Sequence, residues 1–318
     1  MPIERVPRDD QHWASDRLRF VNASESAIVC GEGAWGSLAE LYAEKKGLRP
    51  PREDSTEFRR GRYGEAAAFE ALADQYRDWE IKRAAVHVRD ESLHMACTPD
   101  GYGRSPDRPG IGLIETKCVA QSIFRQRWLD DPSGPLDGPV TPPRHYRIHV
   151  AHQWALHPEV SWAVLAVLIC GEWAWNFRLI EIEHDPLLED RIRYCTQAFF
   201  HNYLVPGVMP PFEPQRDEAL IKALYPKDNG TTIDLCADNR ALTAVEELTD
   251  VQAALKRMQG KEKELKTELT GKLGDATFAV LGDGRCLSWK LQHSKPYSVP
   301  VKEYRVLRIL KSKPEDDE

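Results

Sequence analysis

Four side chains have types and spacing that chemistry can use: Glu65, Asp100, Glu115 and Lys117. Successive residues of a strand point to opposite faces, so Glu115 and Lys117 in LIETK project to one side and Thr116 to the other. If LHMACTPDG pairs with IGLIETKCV through the turn-rich RSPDRPG, Asp100 falls at the end of the neighbouring strand, beside Glu115. Glu65, at the start of its own helix, supplies a third carboxylate from the side. Hard carboxylate oxygens suit Mg2+ or Mn2+. A cation held there lowers the pKa of a coordinated water and neutralises charge growing on a phosphoryl oxygen. Lys117 would orient that water or balance the added charge. Without a cation the crowded carboxylates repel one another, and one tends to stay protonated. An Asp-Gly turn or an ExK triplet alone is commonly a solvated strand edge; their order and spacing together point to metal-assisted phosphodiester hydrolysis.

The elements that must position these groups follow from periodicity. GSLAELYAEKKG carries Leu38, Leu41 and Tyr42 at helical spacing and stops at Gly47. A second helix starts near Gly64, with Ala67, Phe69, Leu72 and Ala73 as its packing face. AAVHVRD and LHMACTPDG read as a hairpin turning at Glu91–Ser92, and IGLIETKCV as a third strand. Residues Gln126 to Tyr146 are rich in Pro, Gly and Asp, a long loop of the kind that is usually mobile or functional. A helix from Tyr146 to Leu156 follows, then strands SWAVLAVLICG and WNFRLIEIE, the first apolar enough to be central, and a helix opening at Asp185–Pro186. The order α-β-β-β-α-β-β-α predicts an α/β or α+β fold, a mixed central sheet flanked by helices.

PGVMPPFEP reads as a linker, which divides the chain into a domain over 1–205, a linker over 206–240 and an accessory region over 241–318. In that region Leu242, Val245, Leu248, Val251, Leu255, Met258, Leu265 and Leu269 recur at three- and four-residue steps. This predicts a coiled-coil-like helical hairpin with a kink or turn around Gly260. A small β module with its turn at Gly282–Gly284 follows, and the tail KSKPEDDE is expected to be disordered.

The net charge of −7 disfavours a strong non-specific nucleic-acid binder. It does not disfavour a site whose acids hold metal, because phosphate binding depends on local clusters. Seven scattered cysteines without a CxxC pair suit reduced thiols, not disulfides, zinc or an iron–sulfur cluster. No apolar run is long enough to span a membrane, and the N-terminus lacks a secretory segment, so a cytoplasmic location is expected.

The ordered series FVNASESA, WGSLAELYAEKKG, RRGRYGEAAAFEAL, MACTPDG, LIETK and YRIHVAHQWAL, within about Asp16 to Asn202, resembles the YqaJ-like viral recombinase family. That family is of the phage lambda exonuclease type and belongs to the PD-(D/E)xK nuclease superfamily. The resemblance implies a restriction-endonuclease-like core in which Glu65, Asp100, Glu115 and the Thr116 carbonyl hold one or two Mg2+ ions, with Mn2+ as a substitute. It makes Lys117 the catalytic lysine and adds Tyr146 and Gln153 to the site, with His149 where a glutamine is common. By position Arg17 and Ser24 fit the pair that holds a 5′ phosphate. Arg125 and Arg127, just past the LIETK strand, would meet the DNA backbone or simply be solvated. Trp35 and Trp128 are candidates for stacking on frayed bases, core packing being the favoured fate of Trp35.

The implied function is a DNA exonuclease that degrades linear double-stranded DNA 5′ to 3′ and releases 5′ mononucleotides in phage-type recombination. Its implied partners are a single-strand annealing recombinase and further copies of itself in a homo-oligomeric ring. Two alternatives stay open: an endonuclease of restriction or repair type, and a DNA-end-binding protein that kept the fold but not the chemistry.

Overall fold

In a computed structural model of the chain, residues 3–7, 17–33, 35–49, 55–293 and 303–309 are described; the tail expected to be disordered lies outside them. Strands β1 (Glu4–Pro7), β2 (Val21–Asn22), β4 (Val86–Asp90) and β5 (Met95–Cys97) form a sheet of order β1-β4-β5-β2. Strands β3 (Glu80–Arg83), β6 (Gly101–Ser105), β7 (Arg108–Ala120), β8 (Val160–Cys170) and β9 (Trp175–Ile182) form a five-stranded sheet of order β3-β6-β7-β8-β9. Its central pair β7–β8 is parallel and its other pairs are antiparallel, so the sheet is mixed, as expected. The helices of this unit are α1 (Ser26–Val29), α2 (Leu38–Lys45), α3 (Thr56–Gln75), α4 (Gln121–Arg127), α5 (Arg144–Ala155), α6 (Pro186–Phe199) and α7 (Glu218–Leu224).

Strand β8 is apolar on both faces because helices cover both. Leu165, Val167 and Ile169 pack with Val150 and Trp154 of α5 and Phe124 of α4. On the other face Val164 and Ala166 join Ile114 of β7 against Phe69 and Leu72 of α3. Each large aliphatic residue buried this way contributes about 1.5–3 kcal/mol, which fixes β7 in register between the two helical layers.

Several expectations are corrected. The helix expected to start near Gly64 begins at Thr56, so Glu65 stands in the middle of α3 and not at its start. LHMACTPDG is not one strand: β5 ends at Cys97, the chain crosses to the other sheet, and it is β6 that pairs with β7. The Pro-rich segment after α4 is a loop, as read, and it is anchored at several points. Trp128 is buried, Leu129 bridges to Val140, and Arg178 donates hydrogen bonds to the carbonyls of Leu136 and Gly138. The first compact unit runs to Leu224, so the early part of the expected linker is packed: Met209, Phe212, Leu220 and Leu224 cover Ala39 and Ala43 of α2.

The second unit, Tyr225–Glu318, replaces the expected hairpin by one 35-residue helix, α8 (Asn239–Leu273), capped at its start by the Asp238 side chain. A lone glycine inside a helix costs only about 1 kcal/mol, too little for Gly260 to force a turn. Strands β10 (Phe278–Val280) and β11 (Cys286–Ser288) form the expected small hairpin, with Gly284 at φ 85° in its turn. All seven cysteines are free thiols. Among the described residues no helix is long and apolar enough to cross a membrane.

A buried ion pair locks the segment before α1 onto α2. The Lys45 side chain is 1% exposed, and its ammonium lies 2.6 Å from a Glu25 carboxylate oxygen. It also donates to the carbonyls of Arg17 (2.7 Å) and Phe20 (2.6 Å). Burial pushes the lysine pKa down, and the Glu25 charge opposes that. Removing one member of such a pair strands the other charge, so Lys45→Met should destabilise the protein by about 3–5 kcal/mol. Urea denaturation followed by tryptophan fluorescence measures this; a loss below about 1 kcal/mol would mean that water reaches the pair.

Candidate active site

The site is built outward from Glu115, which lies mid-strand in β7 opposite Leu165 of β8, with its side chain 3% exposed. A carboxylate taken that far from water must be paired or hydrogen-bonded. Three groups meet the need. Lys117, on the same face of the strand, donates to Oε1. Gln153 Nε2 donates to Oε2 at 2.8 Å. His149 Nε2 lies 3.2 Å from Oε1. His149 and Gln153 are four residues apart on α5, with Tyr146 one turn before, so a single helix face supplies all three.

The Lys117 ammonium also donates to the Thr116 carbonyl at 2.8 Å and stands 3.8 Å from Glu65 Oε1. Asp100 precedes β6, and the pairing of Gly101 with Ile114 brings it level with Glu115. One of its oxygens accepts both the Thr116 backbone N–H and the Thr116 hydroxyl, each at 2.7 Å. Glu65 arrives through close packing. A Cβ on Gly64 would stand 2.4 Å from Cys118 Sγ, so only glycine lets α3 approach β7 this closely and present the next residue to the site.

The electrostatics follow from crowding. Burial, then the charges of Asp100 and Glu115, raise the Glu65 pKa to about 7 against the pull of Lys117. Burial and Glu115 raise Asp100 as well. Burial alone would lower Lys117, but Glu115, Asp100 and Glu65 together raise it, so it stays an ammonium. Burial and then Lys117 push His149 down to about 3. A neutral ring results, whose Nε2 either donates to Glu115 or accepts from Gln153, 3.1 Å away. Among the described residues the buried Gln153 Oε1 has no hydrogen-bond partner.

The carboxylates outnumber the ammonium, and the donors are hard oxygens, a combination that fits a divalent cation such as Mg2+. Among the described residues, however, no three His, Cys, Asp or Glu side chains already form a cage about one point. The Lys117 ammonium reaches into that space, touching Glu115 and lying within ion-pair distance of Glu65.

The other expected residues divide. Tyr146 lies beside the cluster, its ring centre 5.9 Å from Lys117 Nζ. Arg17 and Ser24 are brought together, with the guanidinium 3.3 Å from the hydroxyl. Arg125 is engaged with its own loop, donating to the Gly134 carbonyl at 2.7 Å. Trp128 is buried against Phe124 and Tyr146 and offers no face to a base. Trp35 is 64% exposed, the reverse of the core position favoured for it, and its ring stands perpendicular to that of His145. Sequence reasoning missed His145 and the positioning role of Gly64, whose signal was a glycine directly before a candidate ligand on a helix. It also missed the buried His152, which links Ser26 of α1 to the Ala96 carbonyl of β5.

Residues 12–157 match the family described as the YqaJ-like viral recombinase domain. A protein of Bacillus subtilis strain 168, described as uncharacterized protein YqaJ, is 24% identical over 294 residues, covering 90% of this chain and 84% of that protein. That alignment necessarily extends past residue 157 into the C-terminal unit. Among solved structures, an alkaline exonuclease (LHK-Exo) from Laribacter hongkongensis shares 18% identity over 62% of this chain and 93% of its own, with a TM-score of 0.43. Its complex with dAMP gives a TM-score of 0.44 over the same shares.

The raised Glu65 pKa has a consequence for stability. Between its ordinary value of 4.5 and about 7 the folded protein holds a proton that the unfolded chain releases. This contribution is complete below about pH 4.5 and is lost as the pH rises through 7. The buried neutral histidines act in the opposite sense, so the informative quantity is a difference. In EDTA, thermal midpoints of wild type and Glu65→Gln should diverge from pH 5 to pH 8, the wild type losing ground to the variant. Parallel curves would show that Glu65 titrates as an ordinary surface carboxyl.

Proposed function

We propose, from the match of residues 12–157 to the YqaJ-like viral recombinase domain family, that the protein is a metal-dependent DNA exonuclease acting on linear duplex. The supporting observation is the meeting of Glu65, Asp100 and Glu115 around the Lys117 ammonium. Degradation runs 5′ to 3′ and releases 5′ mononucleotides.

Glu65, Asp100, Glu115 and the Thr116 carbonyl would hold one or two Mg2+ ions, and Mn2+ would substitute. When bound, the ion supplies an activated water and neutralises charge at the scissile phosphate. The chain's own residues do the rest. Gln153 and His149 keep the Glu115 oxygens in fixed directions, so little reorganisation is needed when substrate arrives. Lys117, on giving up its bond to Glu115, has an ammonium to donate to the attacking water or to a phosphoryl oxygen, and its raised pKa keeps it charged. Tyr146 walls the ammonium on one side. Arg17 and Ser24 present a guanidinium and a hydroxyl together, a donor pair suited to a terminal 5′ phosphate. In phage-type recombination the product strand would pass to a single-strand annealing protein, and a ring of several copies around the duplex would favour processive digestion.

Linear duplex labelled at its 5′ or 3′ end, incubated with Mg2+, tests the activity and its direction together. We expect early release of 5′ label as mononucleotide, intact closed circular DNA, and a fall of about 10²–10³-fold or more in Lys117→Ala. Equal label loss in wild type and Lys117→Ala, or nicking of closed circles, would sink the proposal.

A further inference from the structure

Trp35 is 64% exposed although burying an indole is among the more favourable things a fold can do with one. It is not displayed on a slack loop. Arg216 donates to the carbonyls on both sides of it, Gly33 at 2.6 Å and Gly36 at 3.3 Å. The turn is tight enough that a Cβ on Gly33 would stand 2.8 Å from the Gly36 oxygen. At Ser37 the segment is anchored again, the hydroxyl donating at 2.6 Å to the buried Asp217. The fold therefore holds this side chain outward.

What it faces leads to the carboxylate cluster. The indole stands perpendicular to the His145 ring at 6.0 Å between ring centres, His145 lies 4.1 Å from Tyr146, and Tyr146 is 5.9 Å from the Lys117 ammonium. Among the described residues the buried His145 Nε2 has no hydrogen-bond partner, a deficit that a bound ligand can relieve. Burial and then the charges of Arg127 and Lys117 hold the His145 ring neutral. A row of aromatic rings leading to the carboxylate cluster suits an unpaired nucleic-acid strand, since every base offers a face for stacking.

We propose that Trp35, backed by His145, is a stacking platform for the unpaired base at the strand end entering the site. This rests on the nucleic-acid reading above, but not on cleavage. A base that leaves the duplex loses its stacking neighbour, and the indole replaces that neighbour without demanding a sequence.

The test uses the full chain with Ca2+ and a linear duplex carrying 2-aminopurine at its frayed 5′ terminus, with an internally labelled duplex as control. Wild type should quench the terminal probe and not the internal one. Trp35→Ala should abolish the quenching and weaken binding about 5- to 100-fold, while Trp35→Phe keeps most of both. Under Mg2+ the Trp35→Ala loss should appear in KM and leave kcat near wild type. Arg216→Ala, which frees the turn, should reproduce part of the binding loss. Terminal quenching without cleavage under Mg2+ would overturn the exonuclease proposal and leave this one standing. Quenching and affinity in Trp35→Ala equal to wild type would overturn the platform alone, and absence of binding by wild type would overturn both.

Discussion

A carboxylate buried in the middle of a sheet needs compensation, and at Glu115 the surrounding structure is arranged to give it. Its attraction to Lys117 crosses one strand face, and Gln153 and His149 come from the helix packed over that face. The same ammonium draws in Glu65 from the opposite helical layer. Asp100 comes from the crossing between sheets and is held by the backbone of the strand that bears Glu115. Four elements from distant parts of the chain thus converge on one charge. In low dielectric such an arrangement is costly in isolation, because desolvation opposes every ionised member. The raised pKa of Glu65 registers that cost.

The apolar framework keeps these groups from relaxing apart. With β8 covered on both faces, β7 cannot slide without exposing Leu113 and Val119 on one side or Ile114 on the other. His152 adds a directional constraint: neutral, with its pKa pushed down to about 3 by burial, it accepts at one nitrogen and donates from the other. It thereby connects α1 and β5 through α5, the helix that carries Tyr146, His149 and Gln153. Rigidity of the layer supporting a site is what holds donors to productive geometry.

Much of this was legible before any coordinates. Glu115 and Lys117 follow from strand alternation, and the central strand from its unbroken apolar character, because both depend on local pattern. The structure does bring Asp100 level with Glu115, but by another route than the one read: the chain changes sheet between Cys97 and Gly101, which no periodicity marks. The helical hairpin failed because a single Gly260 is a weak breaker within a long apolar stripe. The linker failed because Met209 and Phe212, dispersed among prolines, pack in three dimensions and not by period. Trp35 was misplaced for a related reason, since aromatic character predicts burial until a neighbouring clamp such as Arg216 dictates otherwise.

The contact between Gly64 and Cys118 has an implication for comparing related chains. The two positions share one volume, since hydrogen at the first makes room for sulfur at the second. A chain could keep every acid and the lysine and still fail to bring residue 65 to the cluster if a methyl group appeared at 64 while 118 stayed as large as cysteine. Shrinking 118 in step would restore the fit. The placement of Glu65 is therefore encoded in a steric couple as much as in the charged motif, and positions 64 and 118 should vary together in related chains.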